Sequence, residues 1–120
     1  MAEHNEKGKF GEELAKEYLI NHGYKILHTN WRVKHLEVDI IAQKDIFLIF
    51  CEVKYRTSNA FGEPESFVTI QKQKRIIGAA ETYIELYQWQ GESRFDVISI
   101  LAENGTVKIN HIEDAYGCTW

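Results

Sequence analysis

Four side chains stand out for the chemistry that their types and spacing allow. Glu37 and Asp39 lie two residues apart in Leu36-Glu-Val-Asp-Ile-Ile-Ala, and Glu52 and Lys54 lie two apart in Cys51-Glu-Val-Lys-Tyr-Arg. Spacing of two on a strand puts each pair on one face. Glu52 and Lys54 directly follow the apolar run 46–51, which is apolar on both faces as a central strand is. Charges where a doubly buried strand emerges are costly unless they are paired or bind a cation, so an ion pair and a metal site both answer the pattern. Carboxylates about 4 Å apart repel by about 4 kcal/mol at an effective dielectric of 20, so a converging set holds protons or a cation. Mg²⁺ suits such a set: it takes oxygen ligands, keeps several waters and needs only one or two carboxylates beside a substrate phosphate. A lysine next to it can stabilise developing charge or orient a water.

The elements that must position these groups follow from periodicity. Residues 9–22 read as a helix with Gly11, Leu14, Ala15, Tyr18, Leu19 and His22 on one side and Gly23 as its stop. Glu13 and Glu17 lie opposite that side, whereas Glu12 sits about 20° from Leu19 on the wheel, on the margin of the inward face. Glu12 is therefore either an acid favoured by the dipole of the first turn or a fifth member of the polar set. Residues 24–28 read as a short strand and Thr29-Asn30 as a turn. In the next strand, Leu36, Val38 and Ile40 are expected on one face and Glu37, Asp39 and Ile41 on the other. A turn at residues 43–45 leads into the buried strand, and residues 57–65, with Gly62 and Pro64, read as a loop. An amphipathic helix over about 66–88 presents Phe67, Ile70, Ile77, Ala80, Ile84 and Tyr87 inward and Lys72 and Arg75 outward. Strands at 94–101 and 107–112 flank Asn104-Gly105, a strong hairpin signal. The order α-β-β-β-α-β-β implies an α/β (α+β) fold, one central mixed five-stranded sheet flanked by helices.

With 120 residues the chain is one domain, 1–120, of ordinary globular composition, 44% apolar and 27% charged. Its longest apolar run is far short of the roughly 20 residues that a membrane helix requires, and its polar start lacks the core of a secretory signal, so a cytoplasmic protein is expected. Two cysteines, Cys51 and Cys118, do not suggest a disulfide scaffold or a zinc site, and the five scattered histidines show no metal-ligand spacing. The net charge of -4 is uneven: residues 1–78 carry 12 basic and 11 acidic groups, residues 79–120 carry 2 and 7. Strong binding to phosphates would need a local basic patch or metal ions.

The spacing of Asp39 and Glu52-Val53-Lys54 resembles the PD-(D/E)xK signature of the restriction-endonuclease-like superfamily. The longer string, Gly11-Glu12, Ala15, Tyr18-Leu19, Gly23-Tyr24, Asn30, Arg32, Glu37-Val-Asp39, Phe50-Cys-Glu52-Val-Lys54-Tyr-Arg56, Phe61-Gly62, Val68, Lys72 and Arg94-Phe-Asp96, resembles the YraN-like family of uncharacterised bacterial proteins within it, similar to archaeal Holliday-junction resolvases. The likeness covers residues 8–116. It implies a Mg²⁺ (or Mn²⁺) site at Asp39 and Glu52, with Glu12 as the helix acid, Glu37 as an accessory acid and Lys54 as the catalytic lysine. It implies a metal-dependent endonuclease acting on DNA, branched or flapped structures included, with a catalytically silent nucleic-acid-binding or partner-binding module as the alternative. This chain departs from the family at Leu36, where glycine is usual, and at Cys51, where valine is usual. Leu36 bears on where Glu37 points.

Candidates for gripping DNA are Arg32, Arg56, Lys72, Lys74 and Arg75, the last three also readable as a solvated helix face. Phe61, in the loop beyond Arg56, is a candidate for stacking on an unpaired base or for anchoring the loop to the core. Cutting two strands would most simply take two copies of a one-site domain, hence a homodimer, with Trp89, Phe95, Tyr116 and Trp120 readable either as its contacts or as core residues.

Overall fold

The structure is a computed structural model that describes residues 2–57 and 68–117, with side chains described from residue 8 onward. Its elements are α1 (Ala2–Asn21), β1 (Lys25–Val33), β2 (Leu36–Lys44), β3 (Phe47–Arg56), α2 (Ile70–Tyr87), β4 (Glu92–Glu103) and β5 (Thr106–Tyr116). The strands form one mixed sheet in the order β1-β2-β3-β4-β5. Only β3 and β4 are parallel, because only they are joined through a helix. Three two-residue hairpin turns make the antiparallel joins: Lys34-His35, Asp45-Ile46 and Asn104-Gly105. Asn104 and Gly105 have φ of 53° and 75°, the backbone that twists with the strands it connects.

Each face of the sheet carries one helix. Ala15 and Leu19 of α1 are fully buried against Ile40, Ala42, Ile49, Cys51, Ile98 and Ile100. On the other face Ile76, Ile77, Ala79, Ala80 and Tyr83 of α2 pack on Val38, Ile41, Leu48, Phe50 and Phe95. Phe50 stacks on Phe95 with ring centroids 5.6 Å apart and meets Tyr83 edge-on, so loss of this ring would cost about 3–5 kcal/mol.

Several expectations are corrected. Helix α1 starts at Ala2, seven residues before the apolar periodicity begins. Thr29-Asn30 does not reverse the chain: β1 runs through both, and Asn30 instead takes φ 51° inside the strand. Ile46 is not in the buried strand but in the turn before it, 60% exposed. Helix α2 begins at Ile70, where the Thr69 hydroxyl caps it by accepting from Lys72 N at 3.1 Å. Its buried stripe is consequently rotated, leaving Ile70 and Tyr87 exposed.

The correction that matters most concerns β2. Val38 and Ile41 pack on the α2 face while Ile40 and Ala42 pack on the α1 face, so the alternation of two breaks between Val38 and Ile41. There the ladder with β3 stops, running only from Lys44↔Phe47 to Ile40↔Cys51. Beyond Ile40, β2 stays paired with β1 but leaves β3, and the two strands fork.

Candidate functional site

Asp39 stands in the fork. Its Oδ2 accepts a hydrogen bond from Val53 N at 2.8 Å, taking the place of the backbone acceptor that a continued ladder would provide. Glu52, one residue earlier on β3 and only 6% exposed, lies against it, the two carboxyl groups sharing a hydrogen bond. Burial first, then the charge of Glu52, pushes the Asp39 carboxyl up to about 8, and the Val53 N–H offsets only part of this. The pair thus keeps a proton at neutral pH even beside a cation. One cation is at hand: Lys72 Nζ forms an ion pair with Glu52 from the first turn of α2. Burial works against the Lys72 ammonium, but its bond to Glu52, with the charges of Asp39 and Glu37, holds its pKa above the ordinary value. Lys72 is exposed on α2, as its place on the helix implies, yet it reaches Glu52 because the first turn of α2 lies over the end of β3.

The α1 side of the fork opens into a concavity of about 910 Å³, lined among others by Glu12, Asn30, Arg32, Glu37, Asp39 and Arg56. Glu12 reaches it because α1 comes unusually close to β3: a Cβ on Gly11 would stand 2.8 Å from Tyr55 Cβ. Asn30 Nδ2 donates to Glu12 Oε1 at 2.7 Å. Burial raises the pKa of Glu12, Asn30 counters it, and the neighbouring Glu37 adds to it. Glu37 faces its register partner Arg32, whose Nε donates to Oε2 at 3.3 Å. Leu36 does not divert Glu37: it packs on the α2 face, where Gly78 leaves it room, and Glu37 stays on the concavity.

The sequence-derived residues therefore fall into groups. Asp39 and Glu52 come together; Glu12, Glu37, Arg32 and Arg56 share the concavity that Asp39 enters. Val53 and Tyr55 lie on the α1 face, so alternation puts Lys54 on the face of Glu52. Lys74 and Arg75 are exposed on α2 and do not line the concavity. Phe61, with most of its loop, lies outside the described residues, as do Trp120 and Cys118. Cys51 is a free, buried thiol whose pKa burial pushes up, in keeping with a small core residue. Phe95 packs in the core on the α2 face, and Trp89 and Tyr116 are partly buried against it, in keeping with the core reading of these rings.

Among the described residues, no three His, Cys, Asp or Glu side chains stand close enough together to hold an ion. The donor chemistry still fits one, since two adjacent carboxylates meet the protein share that Mg²⁺ asks for. Two neighbours were not read from the sequence as part of the site. The Tyr116 hydroxyl is buried with no hydrogen-bond partner among the described residues, and burial together with the Glu52 charge raises its pKa. Asp96, fully buried, takes Arg94 Nε and Nη2 at 2.9 and 2.8 Å, His111 Nε2 at 2.7 Å and Asp114 N at 3.0 Å, while Arg94 also donates to Tyr24. Burial opposes ionisation of Asp96, but the bonds from His111 and Arg94 outweigh it and hold its pKa low. The spacing Arg94-x-Asp96, the same i, i+2 pattern as Glu52-x-Lys54, was the available signal.

No helix among the described residues is long and apolar enough to cross a membrane. A family model described as "Uncharacterised protein family UPF0102" matches residues 11–100. A UPF0102 protein of Bacteroides thetaiotaomicron is 47% identical over 116 residues, 97% of this chain and 96% of the relative. One of Flavobacterium psychrophilum is 46% identical over 97% of this chain and 98% of its own, and one of Parabacteroides distasonis is 41% identical over 97% and 96%. With the family match running from α1 through the fork and α2 into β4, and with relatives matching nearly end to end, the chain belongs to the UPF0102 family, the YraN-like family that its motifs resemble.

Proposed function

We propose that this protein is a divalent-metal-dependent endonuclease acting on DNA in the cytoplasm. The observation that carries the reading is the buried Asp39–Glu52 pair in the fork between β2 and β3. Two carboxyl groups desolvated side by side, one holding a proton up to about pH 8, form an arrangement that a stable fold alone does not require. Asp39 and Glu52 would hold Mg²⁺ or Mn²⁺ directly, with Glu12, too far from them to complete a three-ligand set, contributing from α1 through one of the ion's waters. Such an ion, when bound, supplies an activated water and offsets charge on the phosphodiester. Lys54, on the face of Glu52, stabilises that charge. Arg32 and Arg56 flank the acids in the concavity and present guanidinium forks to phosphate. They supply locally the positive charge that a chain of net charge -4 lacks overall. Branched or flapped DNA is the substrate by analogy with the resolvases, and cutting both strands would call for a homodimer.

The Lys72–Glu52 ion pair supports a second reading, a nucleic-acid-binding or partner-binding module with the same fold and no turnover, in which a lysine permanently occupies the acids. Incubation of labelled linear, nicked, flap and four-way DNA with Mg²⁺ or Mn²⁺, beside a Glu52→Ala control, separates the two. Cutting by the unsubstituted protein alone is expected. Equal cutting by both preparations, or by neither, removes the nuclease reading, and metal-independent, salt-sensitive DNA binding then supports the second.

A further inference from the structure

Asn30 occupies a position that strand formation does not explain. β1 pairs with β2 through Thr29↔Ile40 and Trp31↔Val38, but Asn30, between them, has φ 51° and no ladder partner. A strand interior ordinarily takes a β-branched or aromatic residue in extended backbone, and left-handed backbone there is tolerated only by glycine or a short polar residue such as asparagine. The detour places the Asn30 amide on the concavity, where it donates to Glu12 Oε1 at 2.7 Å. The bond spans two elements, and it is the one hydrogen bond to the Glu12 carboxylate among the described residues.

We infer that Asn30 is a positioning residue: its amide engages one oxygen of Glu12 and holds the carboxylate on the concavity that Asp39 also lines, so that the other oxygen is turned toward the hydration shell of an ion held by Asp39 and Glu52. The inference rests on the metal-site reading above and adds to it a residue that touches neither ion nor substrate. Supporting bonds of this kind fix the orientation of metal ligands, and their loss weakens metal binding about 10- to 100-fold.

The test is a Mn²⁺ titration without DNA, read by the signal of free Mn²⁺, on the unsubstituted protein, Asn30→Gly, Glu12→Gln and the double variant. Glycine adopts the same backbone without strain, so Asn30→Gly removes the amide and leaves the strand path intact. Asn30→Gly and Glu12→Gln are each expected to weaken Mn²⁺ binding about tenfold, and the double variant to bind no more weakly than Glu12→Gln alone. Metal-free melting temperatures of Asn30→Gly and the unsubstituted protein should agree to within about 3 °C. Unchanged Mn²⁺ affinity in Asn30→Gly, with a loss in Glu12→Gln, overturns the inference and leaves the metal site standing. So does an equal further loss on adding Asn30→Gly to Glu12→Gln, or a lowered melting temperature with unchanged affinity, which makes Asn30 a strut between α1 and β1. Absence of Mn²⁺ binding by the unsubstituted protein overturns the site and this inference together.

Discussion

Replacing Asp39 by asparagine tests the buried carboxyl pair by stability alone, without any assumed substrate. In the unfolded chain Asp39 releases its proton near the ordinary value of about 3.9, whereas in the fold it keeps it up to about 8. Between those values the folded state binds more protons than the unfolded state, so raising the pH favours unfolding. The stability that the retained proton permits is whole below about pH 4, is lost steadily as the pH rises and is gone above about pH 8. The limiting slope is about 1.4 kcal/mol per pH unit, and residual hydration of the half-buried Asp39 cuts it to about half, or about 1–2 kcal/mol between pH 5.5 and 7.5. An asparagine side chain in the fork cannot ionise, its carbonyl can still accept from Val53 N, and its amide can donate to Glu52. After EDTA treatment, the melting temperature of Asp39→Asn minus that of the unsubstituted protein should therefore rise by about 4–10 °C over this pH range. Saturating Mg²⁺ should restore the unsubstituted protein at pH 7.5 by about 2–3 kcal/mol at a hundredfold excess over Kd, and leave the variant unmoved. A difference that stays constant with pH, or falls, would refute a shared proton in the fork. Equal stabilisation of both proteins by Mg²⁺ would refute a metal ligand at position 39.

Two further outcomes follow from the packing. Gly11→Ala gains about 1 kcal/mol of helix propensity but places a methyl 2.8 Å from Tyr55 Cβ, so urea unfolding should show a net loss of about 1–2 kcal/mol; a gain would mean that α1 moves freely away from β3. Asp96→Asn takes from the half-buried Arg94 its two-pronged partner, leaving only the exposed Glu113 at 3.5 Å, and should cost about 3 kcal/mol by the same measurement, whereas a loss under about 1 kcal/mol would show that the Asp96 network is dispensable.

The acids were legible because local rules govern them. A doubly apolar run that turns abruptly to Glu-x-Lys marks a strand leaving the core, and Glu12 betrayed itself by sitting on the inward margin of a helical wheel. What stayed hidden is what requires knowing which element lies over which. Periodicity placed Lys72 on the outside of α2, and within the helix it is; but the first turn of α2 overhangs β3, where Glu52 claims it. The polar pair Thr29-Asn30 correctly signalled unusual backbone, since Asn30 is left-handed, yet composition cannot tell a reversal from a detour inside a strand. The face of Ile40 and Ile41 was misassigned because both are equally apolar, and only the Asp39 side chain's capture of Val53 N–H shifts the phase. Asp96 drew no notice as a hub because its partners are spread over positions 94, 111 and 114.

The strand order carries a consequence for how the chain finds its fold. Every strand neighbours the next in sequence, so three of the four pairings close through two-residue turns and have almost no loop entropy to overcome. The remaining pairing, β3 with β4, must wait for the segment containing α2 to bring two distant pieces together. The two meanders, β1-β2-β3 and β4-β5, are thus the local units, and their parallel joining is the high-contact-order event that sets the folding rate. Asp39 and Glu52 both belong to the first unit and can meet before that event, but Lys72 and Tyr116 arrive only with it. A nascent chain therefore brings its two acids together before the lysine that partners them, and a divalent ion present during folding would compete with Lys72 for a pair of carboxylates already formed.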